Sequence, residues 1–257
     1  MNLLMSRALI ILLVLNLSAT HAQAQKVISN QTHGWLMYFG NHKLADKVTL
    51  HTEYQWRRAD VISKDQQSLY RLGVDYKFKD NVTLTAGYAY IVTHPYGEQP
   101  VPDKFHEHRI WQTVTVTQRV GIVHLNHRYR LEQRWLENRV KNSAGEFESD
   151  GYTYRDRIRY RIMATVSLTK KNLDPGCLFA SAYDEVFVQF GKNFDRNYLD
   201  QNRISVTIGY VINANCNIQV GYLNQYIIKG DGLKTESNHT MQVSIMYNVD
   251  VWKKQSR

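Results

Sequence analysis

The sequence predicts an all-β fold, an antiparallel up-and-down transmembrane β-barrel of 10–12 strands. Three observations carry that expectation. Apolar and polar residues alternate with a period of two along almost the whole chain beyond residue 25, the signature of strands with two unlike faces. No helical stretch of any length interrupts the pattern. Short turns alternate with longer polar connections, as the two rims of a membrane barrel require. Composition agrees: 17 tyrosines and only 4 prolines suit pleated structure. A mean hydropathy of −0.45 with 21% charged residues argues against a helical membrane protein.

The first residues form a separate segment. Arg7 precedes the apolar run "ALIILLVLNL" (8–17), and Ala22 and Ala24 follow at A-x-A spacing. That order describes a secretory signal peptide over 1–24, with one barrel domain over 25–257. The run is too short to cross a bilayer comfortably as a helix. Its removal takes away one arginine and no acid, so the net charge falls from +9 to +8. Export would place the chain in the outer membrane of a Gram-negative bacterium.

Eleven alternating segments begin near residues 33, 47, 66, 81, 105, 120, 151, 178, 199, 216 and 238. In "KVTLHTEYQWR", Val48, Leu50, Thr52, Tyr54 and Trp56 oppose Thr49, His51, Glu53, Gln55 and Arg57. "NVTLTAGYAYIV" and "GIVHLNHRYRLEQRW" repeat the division, the second with Arg128, Arg130, Glu132 and Arg134 on its polar face. "YRDRIRYRIMATVSL" sets Arg155, Arg157, Arg159 and Arg161 at every second position, with Ile158, Tyr160 and Ile162 between them. Near the C-terminus Met241, Val243, Ile245 and Tyr247 oppose Thr240, Gln242, Ser244 and Met246. Short turns include "KDN" and "NANC". Long connections include "THPYGEQPVPDK" and "ENRVKNSAGEFESDG".

Such strands build either a soluble barrel with the apolar face inside or a membrane barrel with it outside. Strand length, the alternation of short and long connections, and Trp56, Tyr90, Tyr226 and Tyr247 near the ends of the apolar faces favour the second. Barrels with both termini in the periplasm need an even strand count. Either "KVIS" begins a further strand, giving twelve, or "GWLMYFG" does not span, giving ten; twelve is the expectation.

The lumen of that barrel is rich in arginine. Arg57, Arg71, Arg109, Arg128, Arg130, Arg134, Arg155, Arg157, Arg159, Arg161 and Arg203 fall in the inward phase, with Glu53, Asp75, Glu107, Glu132 and Glu185. Guanidiniums roughly 7 Å apart on one strand repel and cannot shed their protons. Counter-charges are therefore required, and Glu132 and Glu185 on the flanking strands are the natural partners. A salt-bridged lumen points to a structural role or a narrow anion-favouring channel. The alternatives are capture of a small anion or anionic lipid headgroup, and a lipid-modifying enzyme with a rim site. Outer-membrane lipid is the expected surrounding; no nucleic acid, no cofactor and no catalytic residue is implied.

"HEH" offers His106 and His108 as weak metal candidates, with Glu107 between them and His94 in the same loop region. Cys177 and Cys216 fall in turns at the same rim with one strand between them, roughly 10 Å across two strand spacings. A disulfide there requires the turns to lean together.

The segments "RYRLEQR" (128–134), "YRDRIRYRI" (154–162), "HRIWQ" (108–112), "DQNRISVTIGY" (200–210) and "GWLMYFGNHKLADKVTLHTEYQWR" (34–57) together resemble the domain-of-unknown-function family 2490. The resemblance covers nearly the whole mature chain in collinear order. It implies a Gram-negative outer-membrane β-barrel with no established activity, and it supplies no catalytic residues.

Overall fold

A computed structural model describes residues 27–194 and 196–252. Eleven strands follow one another: β1 (Val27–Lys43), β2 (Val48–Ala59), β3 (Lys64–Lys79), β4 (Val82–Thr93), β5 (Phe105–Val120), β6 (Val123–Lys141), β7 (Phe147–Ser167), β8 (Leu178–Phe190), β9 (Leu199–Asn213), β10 (Cys216–Ile228) and β11 (Lys234–Tyr247). Each pairs with its sequence neighbours, and β1 pairs with β11 to close the barrel. The segment assigned to the signal peptide lies outside the described residues.

The described residues form eleven strands, inside the expected range of 10–12 but at neither ten nor twelve, the two even counts considered. "VIS" and "GWLMYFG" are parts of one continuous strand, β1, of 17 residues. An odd count leaves the first and last strands running the same way, so the closing seam is parallel, from Val27↔Lys234 to Phe39↔Met246. Two expectations are corrected by this seam: the barrel is not antiparallel throughout, and its described ends do not share a rim. β1 starts at the long-loop rim, whereas β11 ends at the short-turn rim. The seam is continuous because both strands carry the same phase: Trp35 and Gln242 face inward as a pair, Leu36 and Val243 outward. Cysteines replacing Leu36 and Val243, with Cys177→Ser and Cys216→Ser removing the native thiols, should cross-link on oxidation. The oxidised denatured chain would then run at altered mobility in an unreduced gel. No cross-link under any oxidant would refute the parallel seam.

The "ENRVKNSAGEFESDG" connection is also shorter than the sequence suggests. β6 and β7 continue to Lys141 and Phe147, so that only residues 142–146 form the turn. Asn142 Oδ1 accepts hydrogen bonds from the backbone N–H of Ala144 and Glu146. That local bonding fixes a tight reversal, and the two strands extend beyond the barrel as an exposed arm.

Burial is inverted relative to a soluble domain. The outward phase is apolar: Ile204, Val206 and Ile208 on β9 are 55%, 55% and 61% exposed. Tyr54, Tyr70 and Tyr90 form an outward ladder toward the long-loop rim, with ring centroids 5.0 and 6.5 Å apart. Tyr76, Tyr210 and Tyr247 are exposed near the other rim. Two carboxylates break the outward phase. Asp156 accepts from the Tyr154 hydroxyl at 2.5 Å, and Asp184, midway along β8, accepts from Asn202 at 2.6 Å.

The interior is polar and filled. Barrels of about 8 strands fill with side chains, and those of about 16–18 leave an aqueous channel. Eleven strands fall between, so the size of the lumen side chains decides whether a path remains. Large groups occupy it: Trp35, Trp111, Phe187, Leu69 and Leu223 are buried there beside the charged residues. Trp111 has room because Gly73 and Gly87 face one another on the adjacent strands, directly beneath its indole.

Candidate functional site

The functional candidate is a layer of guanidiniums that crosses the lumen. Alternation on β6 and β7 aims Arg128, Arg130, Glu132 and Arg134 inward, opposite Arg161, Arg159, Arg157 and Arg155. Glu132 is the hub and is 0% exposed. It accepts from Arg157 at 2.6 Å and from Arg159 at 2.7 Å. Arg109 and Arg71 stand 3.8 and 3.9 Å from it. Asp200 takes the other side of Arg157 at 2.5 Å.

Glu185 lies opposite Arg161 and Arg203 in register, yet its ion pairs go diagonally, to Arg128 at 2.7 Å and Arg159 at 2.8 Å. Glu53 pairs with Arg71 at 2.6 Å. Glu107 holds Arg109 and, at 2.6 Å, Arg134. Most of these pairs are buried, where bonds between ionised groups are at their strongest and a missing partner costs most.

Five inward arginines, Arg57, Arg130, Arg155, Arg161 and Arg203, make no ion pair among the described residues. Arg57 donates to Gln55 and Gln67. Arg130 donates to Thr113, Arg161 to Asn126 and Arg203 to Gln201. Arg155 also lacks a carboxylate, and its Nε is buried without a partner. Aromatic faces take some of the load: Arg57 and Arg203 lie over Trp35, with guanidinium carbons 4.1 and 5.4 Å from the ring centre. Arg130 covers Trp111 at 4.5 Å, and Arg159 and Arg203 cover Phe187 at 4.2 and 4.7 Å. The ring quadrupole attracts a cation, and a planar guanidinium is weakly hydrated enough to stack on it.

The layer divides the lumen. On the short-turn side lies a chamber of about 520 Å³. On the long-loop side lies a cavity of about 140 Å³. Arg57, Arg71, Arg159 and Arg203 line both, so the partition is a single tier of side chains.

The connection between β4 and β5 covers the long-loop mouth. The Tyr96 hydroxyl donates to Glu236 at 3.1 Å, and its ring meets His33 edge-on at 5.5 Å. Gln99 donates to Ser29 at 2.9 Å, and Lys229 donates to the Gln99 carbonyl at 3.2 Å. Burial, reinforced by the nearby Glu236 carboxylate, raises the pKa of the Tyr96 hydroxyl above its usual value.

Sequence reasoning missed Asp200 and Glu236, which sit at strand ends where the phase is hard to read. It also missed Trp35, Trp111 and Phe187 as lumen residues. An inward aromatic interrupts the polar face, and only the neighbouring arginines and glycines reveal why it is there.

The proposed rim set does not assemble. Glu107 points into the lumen, whereas His106 and His108 point outward. Tyr90 and His106 Nδ1 are hydrogen-bonded at 2.6 Å, and Tyr88 and His108 Nδ1 at 2.5 Å. Adjacent strand residues take opposite faces, so the barrel wall separates the carboxylate from both imidazoles. No group of three metal-ligating side chains occurs among the described residues. Cys177 and Cys216 are both free. Cys177 is buried in the inward phase with Phe179 and Val211, while Cys216 pairs with outward Tyr247. The thiols therefore lie on opposite faces of the wall.

An uncharacterized protein of Methylorubrum extorquens is 27% identical over 223 residues, covering 86% of this chain and 88% of that protein. No solved structure matches the chain. The family model described as a protein of unknown function, DUF2490, matches residues 32–237, and the chain belongs to that family.

Proposed function

We propose that the protein is an exported outer-membrane β-barrel of a Gram-negative bacterium, with a largely blocked, anion-favouring lumen. The observation that carries this reading is the inverted wall: aliphatic and tyrosine side chains outward, buried guanidiniums inward. An outer surface this apolar far exceeds the isolated patches that soluble monomers expose, so hydrocarbon is the medium that suits it. The aromatic residues near both rims are consistent with interfacial girdles, and the leader at 1–24 with export. The short turns would face the periplasm and the longer connections the exterior.

The guanidinium tier and the Tyr96 loop argue against a wide porin. Its net positive lining favours anions over cations in whatever leak remains. Purified protein in planar bilayers should therefore give small, anion-biased conductance steps. Large steps of porin size, or cation preference, would sink this reading. A protein that stays monodisperse and folded without detergent would remove the membrane assignment altogether.

A further inference from the structure

We propose that the short-turn chamber is a binding site for a phosphomonoester with an apolar tail. The inference deepens the reading above and rests on it. Seven lining residues are arginine and three are Asp or Glu, a surplus of four positive charges. All three acids are already engaged: Glu53 by Arg71, Glu185 by Arg128 and Arg159, and Asp75 by the Thr85 hydroxyl at 2.6 Å. Arg57, Arg130, Arg161 and Arg203 supply the surplus, since none has a carboxylate partner among the described residues. Arg130, only 4% exposed, keeps Nη1 buried and unpartnered, and Arg161 and Arg203 keep Nε so. A buried charged donor with nothing to donate to is costly, and a bound oxyanion removes that cost.

The wall changes character toward the open end. Two residues beyond Trp35 comes Met37 and then Phe39, which pairs with Met246. Two residues beyond Arg161 comes Met163. Phe179 and Leu173 line the same throat. The chamber is thus cationic at its floor and contains methionine and aromatic surface toward its mouth. Methionine adapts to flexible apolar groups.

A phosphomonoester fits both halves. Its head carries roughly −1.5 to −2 charges at neutral pH and presents oxygens for several guanidinium forks. Its ester carbon chain leaves the head in the direction of the throat. A volume of about 520 Å³ lies within the range of small-molecule pockets.

The test titrates the full barrel, reconstituted in zwitterionic nanodiscs, with hexyl phosphate, ethyl phosphate, inorganic phosphate and hexanol by calorimetry. Heat-modifiable gel mobility of the same sample reports the folded barrel independently. Hexyl phosphate should bind one per barrel and about tenfold or more tighter than inorganic phosphate, because buried methylenes add affinity; hexanol should give no saturable heat beyond that of protein-free nanodiscs. Arg130→Gln and Arg161→Gln should each weaken binding about tenfold while preserving gel mobility. Met163→Gln should reduce the preference for hexyl over ethyl phosphate and leave inorganic phosphate unchanged. A heat-modifiable barrel that binds no phosphate overturns the site. Affinity independent of chain length overturns the tail, and undiminished binding in both arginine variants overturns the floor. A sample that never shows heat-modifiable mobility overturns the membrane reading and this inference with it.

Discussion

Glu132→Gln should cost the barrel about 3–5 kcal/mol of stability, the range for removing one partner from a buried ion pair. The carboxylate is fully enclosed and binds Arg157 and Arg159 directly, with Arg71 and Arg109 within 4 Å. Glutamine preserves the shape and removes the charge. Asp200 still serves Arg157, and Glu185 still serves Arg159, so the tier is weakened without being emptied. The variant should unfold at a lower urea concentration in lipid vesicles, followed by loss of the compact gel form. Glu98→Gln, in the exposed β4–β5 loop, should change stability by no more than about 0.5 kcal/mol. Combining Glu132→Gln with Arg157→Gln should cost less than the sum of the two single changes, because both remove the same ion pair. An unchanged midpoint for the single variant would show that Glu132 is no hub.

Gly87→Val should destabilise by about 3 kcal/mol, the upper end of ordinary overpacking. A Cβ at Gly87 would stand 2.5 Å from the Leu72 carbonyl oxygen and 2.7 Å from Cζ2 of Trp111. The first contact is backbone in the neighbouring strand and cannot rotate away. The second forces the indole off its seat over Gly73 and Gly87. Trp111 also packs with Leu69, Ala89 and Ile91 and lies under Arg130, so its displacement disturbs an apolar cluster and a cation–π contact together. A lower urea midpoint with altered near-ultraviolet circular dichroism is expected. Adding Trp111→Ala should restore part of the midpoint by clearing the clash. Wild-type behaviour of Gly87→Val would mean that the glycine pair is not what seats the tryptophan.

How legible the fold was depends on the element. β9 and β10 could be read nearly to the residue, because their apolar phase is unbroken and "NANC" supplies a short reversal between them. β1 was harder: "VISNQTH" alternates weakly, and its partner across the seam lies over 200 residues away. An even count follows only when both ends of the chain lie at one rim, and the parallel β1–β11 seam removes that condition. The β6–β7 arm has the composition of a loop, since strand pairing beyond the barrel buries neither face and leaves no hydrophobic pattern.

For the site, the arginine row of β7 was visible as bare spacing, and its need for carboxylates followed from charge. Which carboxylate serves which arginine was not. Glu185 bypasses Arg161, its register partner, and bonds Arg159 and Arg128.

The two-faced strands, the all-β class and the gathering of arginines on one face are written locally in the chain, because period-two alternation involves only near neighbours. The parallel closure, the division of the lumen by one tier of side chains, and the five inward arginines left without carboxylates arise only in the closed barrel. Those depend on stagger, on side-chain reach across the barrel and on competition for the same few acids, none of which is encoded between neighbouring residues.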